Sequence, residues 1–396
     1  MRSSAASHLA FAAFGLFWGT WGAALPALRD AAGIDEAALG AALLCVGLGA
    51  LPAMLLTGRA VDRFGARIAG LLLVALALAG VLAAGLARDL VTLCVGMLLV
   101  GATSGAADVA GNALAGLAEK RSGGRVITIS HAVFSSFVVV GSLGAGALLG
   151  AGAGVAAVFA TAGVLIAAAG VSVLRLGDRP YATDGAADAA AARARAGGIR
   201  AALPFIAVGL IGALAFATEN AHQSWSAIFL ADELGAAAGL AAIAPATFAV
   251  FAAVTRFAAG ALTRIPSGVL LGGGAVIALV GTLVLAAAQE LPAALIGLAL
   301  AAVGTSVLFP TLLSRATSDV PAAQRGRATS AVATTAYLGF LLGPVYVGFI
   351  AEATGLRGAM VAVALLAAVF AVLAPAVARG SARTGVHDTT RSRSDA

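Results

Sequence analysis

Apolar residues run along this chain in stretches of about twenty, and short segments with charged residues, Pro or Gly separate one stretch from the next. A helix needs about 20 apolar residues to cross a hydrocarbon core roughly 30 Å thick. Barrel strands would instead need short segments of alternating polarity, which the pattern lacks. The pattern therefore predicts an all-α integral membrane protein. The twelve predicted transmembrane helices are residues 8–28, 36–56, 67–87, 91–118, 126–149, 152–174, 200–223, 236–262, 268–288, 291–314, 326–350 and 357–378.

Composition fits this class, because 61% of the residues are hydrophobic and only 11% are charged. These values leave no room for a large soluble domain. Arg2 ahead of the first apolar run also resembles the start of a secretory signal peptide, but the many spans that follow favour a retained first helix. Cys45 and Cys94 fall inside predicted spans, where a thiol behaves as a small apolar side chain. We therefore expect neither a disulfide nor a metal site.

The basic residues are distributed unevenly between the two sides of the predicted bundle. With the N-terminus in the cytoplasm, only Arg29, Arg88 and Arg357 of the 24 Lys and Arg residues fall in outer segments. Basic residues accumulate in cytoplasmic segments, so we expect a plasma-membrane protein with both termini in the cytoplasm. The net charge of +6 then faces anionic membrane lipid and needs no nucleic-acid partner.

The longest polar break, residues 175–199, separates six predicted spans from six others. It is expected to be a flexible cytoplasmic linker between an N-terminal half, residues 1–174, and a C-terminal half, residues 200–378. The polar residues 379–396 are expected to be a disordered cytoplasmic tail. Two parallel six-helix halves with a solute site between them are a transporter design. An offset of 202 residues relates Gly58 to Gly260, Arg125 to Arg327, Gly141 to Gly343 and Gly146 to Gly348, which indicates that the halves are repeats.

The segment "GRAVDRFGARIAG" lies between the second and third predicted spans and resembles the G-x-x-x-D-R-x-G-x-R loop motif of the major facilitator superfamily. The resemblance implies the fold of that superfamily and a gate that stabilises the outward-facing state. The glycines are expected to permit tight turns and the Asp to pair with an opposing helix end or Arg. The alternative is a basic loop with an incidental Asp. The matching residues are Gly58, Asp62, Arg63, Gly65 and Arg67.

The corresponding segment of the second half, "RFAAGALTRIPSG", keeps Arg256, Gly260 and Arg264 but has no Asp. We therefore expect the first-half loop to dominate gating.

Two further segments resemble a bacterial branch near the fucose permeases, most members of which have no assigned substrate. The segment "SGAADVAGNALAGLAEKRSGGRVITISHAVFSSF" carries the Asp and Asn of helix four and the His of helix five, here Asp108, Asn112 and His131. In "ATENAHQSWSAIFL" the residues Glu219, Trp225 and Ser226 match, whereas Gln223 and Ser224 stand where small and acidic residues are expected.

Ionisable residues inside a span cost at least about 2.5–3.5 kcal/mol at mid-helix, so each needs a function or a partner. Asp108 is the deepest acidic residue and is predicted to bind a proton or the solute; the alternative is a structural carboxylate paired with His131. His131 titrates in the range that a proton relay needs, although lone histidines also serve as hydrogen-bond partners. Glu219 is the third proton-coupling candidate.

Polar residues crowd the end of the seventh predicted span, where they either face a cavity or form a solvated helix end. Aromatic residues could stack on a sugar or planar ligand, although Trp at span ends is also ordinary interfacial anchoring. The predicted solute-binding residues are Trp18, Asn112, Asn220, His222, Gln223, Trp225 and Tyr337.

The sequence shows no P-loop, no metal-ligand spacing and no nucleophile with a positioned base, so we expect neither an enzyme nor an ATP-driven pump, and no cofactor. The function predicted is a monomeric secondary transporter that alternates access and moves a sugar-like or other small polar solute together with protons. One alternative is efflux of a drug or amphipathic metabolite by proton exchange. The other is a receptor or scaffold that does not transport.

Overall fold

The computed structural model describes residues 2–65, 67–176, 199–261, 265–318, 320 and 322–384, and the elements formed by these residues are helices. The predicted linker, apart from residues 175, 176 and 199, lies outside the described residues, as does residue 385 onward. The helices are α1 (Arg2–Ala32), α2 (Glu36–Phe64), α3 (Ile68–Leu86), α4 (Leu90–Ser122), α5 (Val126–Gly150), α6 (Val155–Leu176), α7 (Ile199–Leu234), α8 (Ala238–Ala241), α9 (Ile243–Ala261), α10 (Ser267–Ala287), α11 (Leu291–Thr305), α12 (Leu308–Thr317) and α13 (Ala322–Thr384).

Twelve membrane spans are present in the described residues. Eleven helical segments are long and apolar enough to cross a membrane, and the last of these, within α13, is two spans because Gly355 has φ 75° and ψ 167°. Such a positive φ is accessible to Gly at little cost. The helices α8 and α9 form one span, and α11 and α12 form another. The predicted number of spans is therefore confirmed.

Helix α7 is longer than the sequence pattern predicts, since it continues to Leu234 instead of ending near residue 223. Residues 225–230 are all buried, because this part of α7 packs inside the protein, against α1 and α13. The polar residues from Glu219 to Ser224 therefore lie in the middle of a helix. The interpretation of this cluster as a solvated helix end is wrong.

The two halves, α1–α6 and α7–α13, pack by the same scheme. Helix α1 packs on α5, α2 on α4 and α3 on α6, while α7 and α10 pack on α13 and α9 packs on α11. The related glycines Gly141 and Gly343 lie at equivalent crossings: a Cβ on Gly343 would lie 3.0 Å from Cα of Ala217 in α7, and Gly141 approaches the backbone of Leu16 in α1. The helix packing thus reproduces the repeat predicted from the offset of 202 residues.

The halves meet closely at the end of the bundle opposite to Arg2 and Thr384, which we call the far end. There α2 crosses α13, with a Cβ on Gly40 only 3.1 Å from Cα of Gly348. The equivalent crossing brings Gly146 of α5 against Gly239 of α8, with the Gly146 Cβ position 3.1 Å from the Gly239 carbonyl oxygen. Both crossings need residues without side chains, and together they join the halves at the far end.

Candidate functional site

A cavity of about 320 Å³ lies between the two halves and is lined by α1, α2, α4 and α5 on one side and by α7, α9 and α13 on the other. Many lining residues come in pairs that are 202 positions apart, so the cavity follows the internal repeat. These pairs include Trp18 with Asn220, Trp21 with Gln223, Val46 with Phe248, Met54 with Arg256, and Ser135 with Tyr337. In three of the five pairs the first half supplies an apolar or aromatic residue and the second half supplies an amide or a charge.

Asp108 of α4 lines this cavity and forms one end of a hydrogen-bonded chain. The side-chain Nδ2 of Asn112 donates to Oδ1 of Asp108 at 2.9 Å, and Oδ1 of Asn112 lies 3.3 Å from Nε2 of His131 in α5. The ring of His131 also makes an edge contact with Phe11, with centroids 4.8 Å apart. The structure thus brings the three residues together, with the Asn112 amide between Asp108 and His131. The direct pair between Asp108 and His131, which was the alternative prediction for Asp108, is not formed.

On the opposite wall, Glu219 of α7 forms an ion pair with Arg256 of α9. Nη2 of Arg256 donates to Oε1 of Glu219 at 2.6 Å, and Nε2 of Gln223 donates to the same oxygen at 3.1 Å. Nε of Arg256 donates to the backbone oxygen of Ser306, at the break between α11 and α12, at 3.3 Å. The Arg256 guanidinium therefore lines this wall of the cavity, and the adjacent Glu219 carboxylate forms its ion pair.

The cavity role of Arg256 was missed by sequence analysis. The residue was interpreted as a remnant of a gating loop, but it lies inside α9 and lines the cavity. The sequence did indicate such a role, since an Arg within a predicted span is costly and needs a partner or a function.

The predicted solute-binding residues lie in three different positions relative to the cavity. Trp18, Asn220, Gln223 and Tyr337 line the cavity. Asn112 does not line it, and touches the lining residue Asp108. The structure places the two remaining predicted residues, His222 and Trp225, in the protein interior.

His222 and Trp225 are both fully buried. Nδ1 of His222 donates to the backbone oxygen of Thr218 at 2.7 Å, Nε2 lies 3.0 Å from Oγ1 of Thr282, and the ring stacks on Phe248. Trp225 belongs to the main core cluster. In this conformation both side chains pack behind the cavity wall.

The loop motif is only partly described. Gly65 ends α2 with φ 81°, and its N–H donates to the backbone oxygen of Val61 at 2.8 Å, which confirms the turn predicted there. Gly58 lies within α2, so the turn predicted at Gly58 is wrong. The guanidinium of Arg63 lies over the ring of Phe64, and Arg67 is exposed. The side chain of Asp62 lies outside the described residues, so its pairing stays a prediction.

Known proteins resemble this chain over nearly its whole length. The family model of the Major Facilitator Superfamily matches residues 8–323 and 208–393. An uncharacterized MFS-type transporter of Yersinia pestis is 31% identical over 385 residues, which cover 94% of this chain and 95% of the relative. A bacterial homolog of the human lysosomal transporter Spinster, solved in an inward-facing and unoccupied conformation, matches with a TM-score of 0.79 and 18% identity over 95% of this chain and 96% of that chain. A D-xylose-proton symporter matches with a TM-score of 0.75 and 16% identity over 94% and 96%.

Proposed function

The chain belongs to the Major Facilitator Superfamily, and from this premise we propose that it is a secondary active transporter that moves a small polar solute together with protons by alternating access. The observation that carries the proposal is the central cavity, because both halves contribute ionisable side chains to it. At the far end the halves are held together by the small-residue contacts at Gly40 and Gly146, by a hydrogen bond from Oγ of Ser142 to the backbone oxygen of Ala242 at 2.7 Å, and by an ion pair between Arg29 and Asp232. Such contacts can separate when the halves rock about the cavity, as alternating access requires.

Asp108 is the best candidate for the proton-binding residue. Within the described part of the chain it forms no salt bridge, and its one side-chain partner is the neutral amide of Asn112. Glu219 already has Arg256 as a cationic partner. Burial of a charge without a counter-charge is costly, so protonation and deprotonation of Asp108 change the energy of the cavity more than they would at Glu219. His131 is connected to Asp108 through the side-chain amide of Asn112, and we propose that it relays the proton.

The wall residues support a solute with one polar and one apolar side. Apart from Asp108 on α4, the amides and charges of the cavity wall lie on α7 and α9, while the rings of Trp18 and Phe14 lie on α1. An aromatic face offers apolar area close to the polar groups that orient a ligand. We therefore favour symport of a sugar-like or other small polar solute, and a D-xylose-proton symporter has the same fold. Proton exchange with an amphipathic solute would use the same cavity and is the second candidate because of these aromatic residues.

We further propose that the transporter lies in the cytoplasmic membrane as a monomer with both termini inside, as the distribution of basic residues favours. In that orientation the far end faces outward, and the contacts at the far end close the cavity to the outside.

The test uses the purified protein in sealed proteoliposomes with a pH-sensitive dye inside. Sugars, organic acids, amino acids and cationic drugs are added outside, with protein-free vesicles as the blank. Acidification of the lumen on addition of a neutral solute supports symport. Alkalinisation by a neutral or permanently charged solute supports exchange instead. No pH change and no tracer uptake with any solute would contradict the proposed function.

A further inference from the structure

The guanidinium of Arg256 has hydrogen-bond donors that the protein does not use. Nη2 donates to Glu219 and Nε donates to the Ser306 backbone, but among the described residues nothing accepts a hydrogen bond from Nη1. The side chain lines the cavity and is 44% exposed. A guanidinium carries five N–H donors in a planar fork. The Nη1 edge of Arg256 is therefore open to a ligand in the cavity.

Glu219 holds this guanidinium in place without covering it. The Glu219 side chain is only 12% exposed, and the single oxygen that binds Arg256 also accepts from Gln223 at 3.1 Å. Together with the Ser306 carbonyl, Glu219 fixes two of the three guanidinium nitrogens. An arginine held in one orientation recognises a carboxylate with little further loss of side-chain freedom. Glu219 is thus a positioning residue for Arg256.

The first half has no charge at the position that the repeat relates to Arg256. The residue 202 positions before Arg256 is Met54, which also lines the cavity. The repeat relates Trp18 of the first half to Asn220 of the second half in the same way, and both residues line the cavity. A solute that contacts both walls therefore meets the guanidinium edge on one side, and on the other side apolar and aromatic groups together with the carboxyl group of Asp108.

We propose that the cavity takes a small ring-shaped solute that carries a carboxylate group, and that this carboxylate binds the Nη1 edge of Arg256 while the ring lies against Trp18. The proposal rests on the proposed function as a proton-coupled transporter. Asp108, Glu219 and Arg256 together carry a net charge of −1 when ionised. A bound carboxylate adds one negative charge, and one proton on Asp108 restores the original sum. The solute anion and the proton then cross together without net movement of charge.

Binding is tested with the purified full-length protein in detergent by isothermal titration. The probes are two matched pairs that differ in the carboxylate: glucuronate with glucose, and 4-hydroxybenzoate with 4-hydroxybenzamide. We expect at least one carboxylate to bind at least tenfold more tightly than its neutral partner. Arg256→Gln should remove this preference. Glu219→Gln keeps a side-chain acceptor for Arg256 but removes one negative charge, so it should strengthen carboxylate binding.

One control variant and one substitute variant complete the binding experiment. Arg88→Gln removes a cation from the exposed segment between α3 and α4 and should leave binding unchanged. If Arg256→Gln does not fold, Arg256→Lys keeps the charge but loses the planar fork, and it should weaken carboxylate binding at least tenfold. Equal affinity for both members of each pair, carboxylate binding that survives in the Arg256 variants, or binding of neither carboxylate would overturn the proposal.

Proteoliposomes then separate this proposal from the more general one. Glucuronate uptake should acidify the lumen and should not change when a potassium diffusion potential is imposed. Proton movement with neutral solutes but not with glucuronate or 4-hydroxybenzoate would refute the carboxylate proposal and leave proton-coupled transport standing. Absence of solute and proton movement with every probe would refute both.

Discussion

Arg29, near the end of α1, donates two hydrogen bonds to the carboxylate of Asp232 near the end of α7, so a bidentate ion pair joins the two halves at the far end. The Arg29 side chain is only 12% exposed, and its Nη1 also donates to Glu36 at 3.2 Å. Paired guanidinium and carboxylate groups combine charge with fixed geometry. This pair must break when the far end opens.

We expect Arg29→Gln or Asp232→Asn to favour conformations with an open far end. A partly buried charged hydrogen-bond pair is worth about 1–2 kcal/mol, which corresponds to a roughly 5- to 30-fold change in the equilibrium. The measurement is the distance distribution between spin labels at the exposed residues Ala31 and Ala237, in a background with Cys45 and Cys94 replaced by Ser. Arg88→Gln, a cation removed from the same end, is the matched control.

The double variant tests whether the two residues act on each other. Arg29→Gln combined with Asp232→Asn should shift the label distances by less than the sum of the single effects, because the second substitution removes a partner that is already lost. Strictly additive shifts would show that the pair is incidental to closure.

The close crossing of α2 and α13 gives a second prediction. A Cβ at Gly40 would lie 3.0 Å from the Pro344 carbonyl oxygen and 3.1 Å from Cα of Gly348. Gly40→Val should therefore separate the helices at a cost of about 1–3 kcal/mol, populate the open far end and slow transport. Label distances and tracer uptake are measured together. Gly85→Val is the control, since among the described residues no atom apart from its chain neighbours and the backbone of its own helix lies within 4 Å of the Cβ position. Similar behaviour of both variants would contradict the prediction.

Most of the fold followed from local information in the sequence. The number and position of the spans depend on the length of the apolar runs. The repeat depends on glycines such as Gly141 and Gly343, because only a residue without a side chain permits the close helix crossings there. The end of α7 was predicted wrongly because hydropathy fell across Glu219–Ser224. Hydropathy does not distinguish a helix end from a polar turn that faces an internal cavity.

The site was predictable only in part, for a related reason. Asp108 and Glu219 were predicted because a charge inside a span is costly. In the structure Asp108 lines the cavity, and Glu219 binds the lining residue Arg256. Which face of α7 meets the cavity depends on the packing of other helices, so the sequence could not separate Gln223, which lines the cavity, from His222, which does not. Glu219 and Arg256 are 37 residues apart in sequence and lie on different helices, so neither local segment indicates that they form a pair.

Asp108→Asn is expected to separate solute movement from proton movement. The amide keeps the size of the side chain and an oxygen that can accept from Asn112, but it cannot take up a proton. For one proton per solute, a gradient of one pH unit supplies about 1.4 kcal/mol, which supports a roughly tenfold accumulation. The variant should retain exchange of labelled for unlabelled solute and should accumulate none against a gradient.

The control for this prediction is Glu290→Gln, which removes an exposed carboxylate at the far end, outside the cavity. It should accumulate solute normally. If Asp108→Asn accumulates solute against a gradient as well as the unmodified protein does, the proton site lies elsewhere. Glu219→Gln would then be measured in the same assay.

His222 and Gln223 are neighbours in sequence but should respond in opposite ways to substitution. His222→Ala leaves a cavity against Phe248 and removes one of the two hydrogen-bond partners of the Thr282 hydroxyl, so thermal unfolding should show a loss of about 2 kcal/mol or more while the solute affinity of the folded protein changes less than twofold. Gln223→Ala removes an exposed side chain from the cavity wall, so stability should change little and solute affinity should fall. The reverse pattern, with affinity lost in His222→Ala and stability retained, would place the imidazole in the solute site during part of the transport cycle.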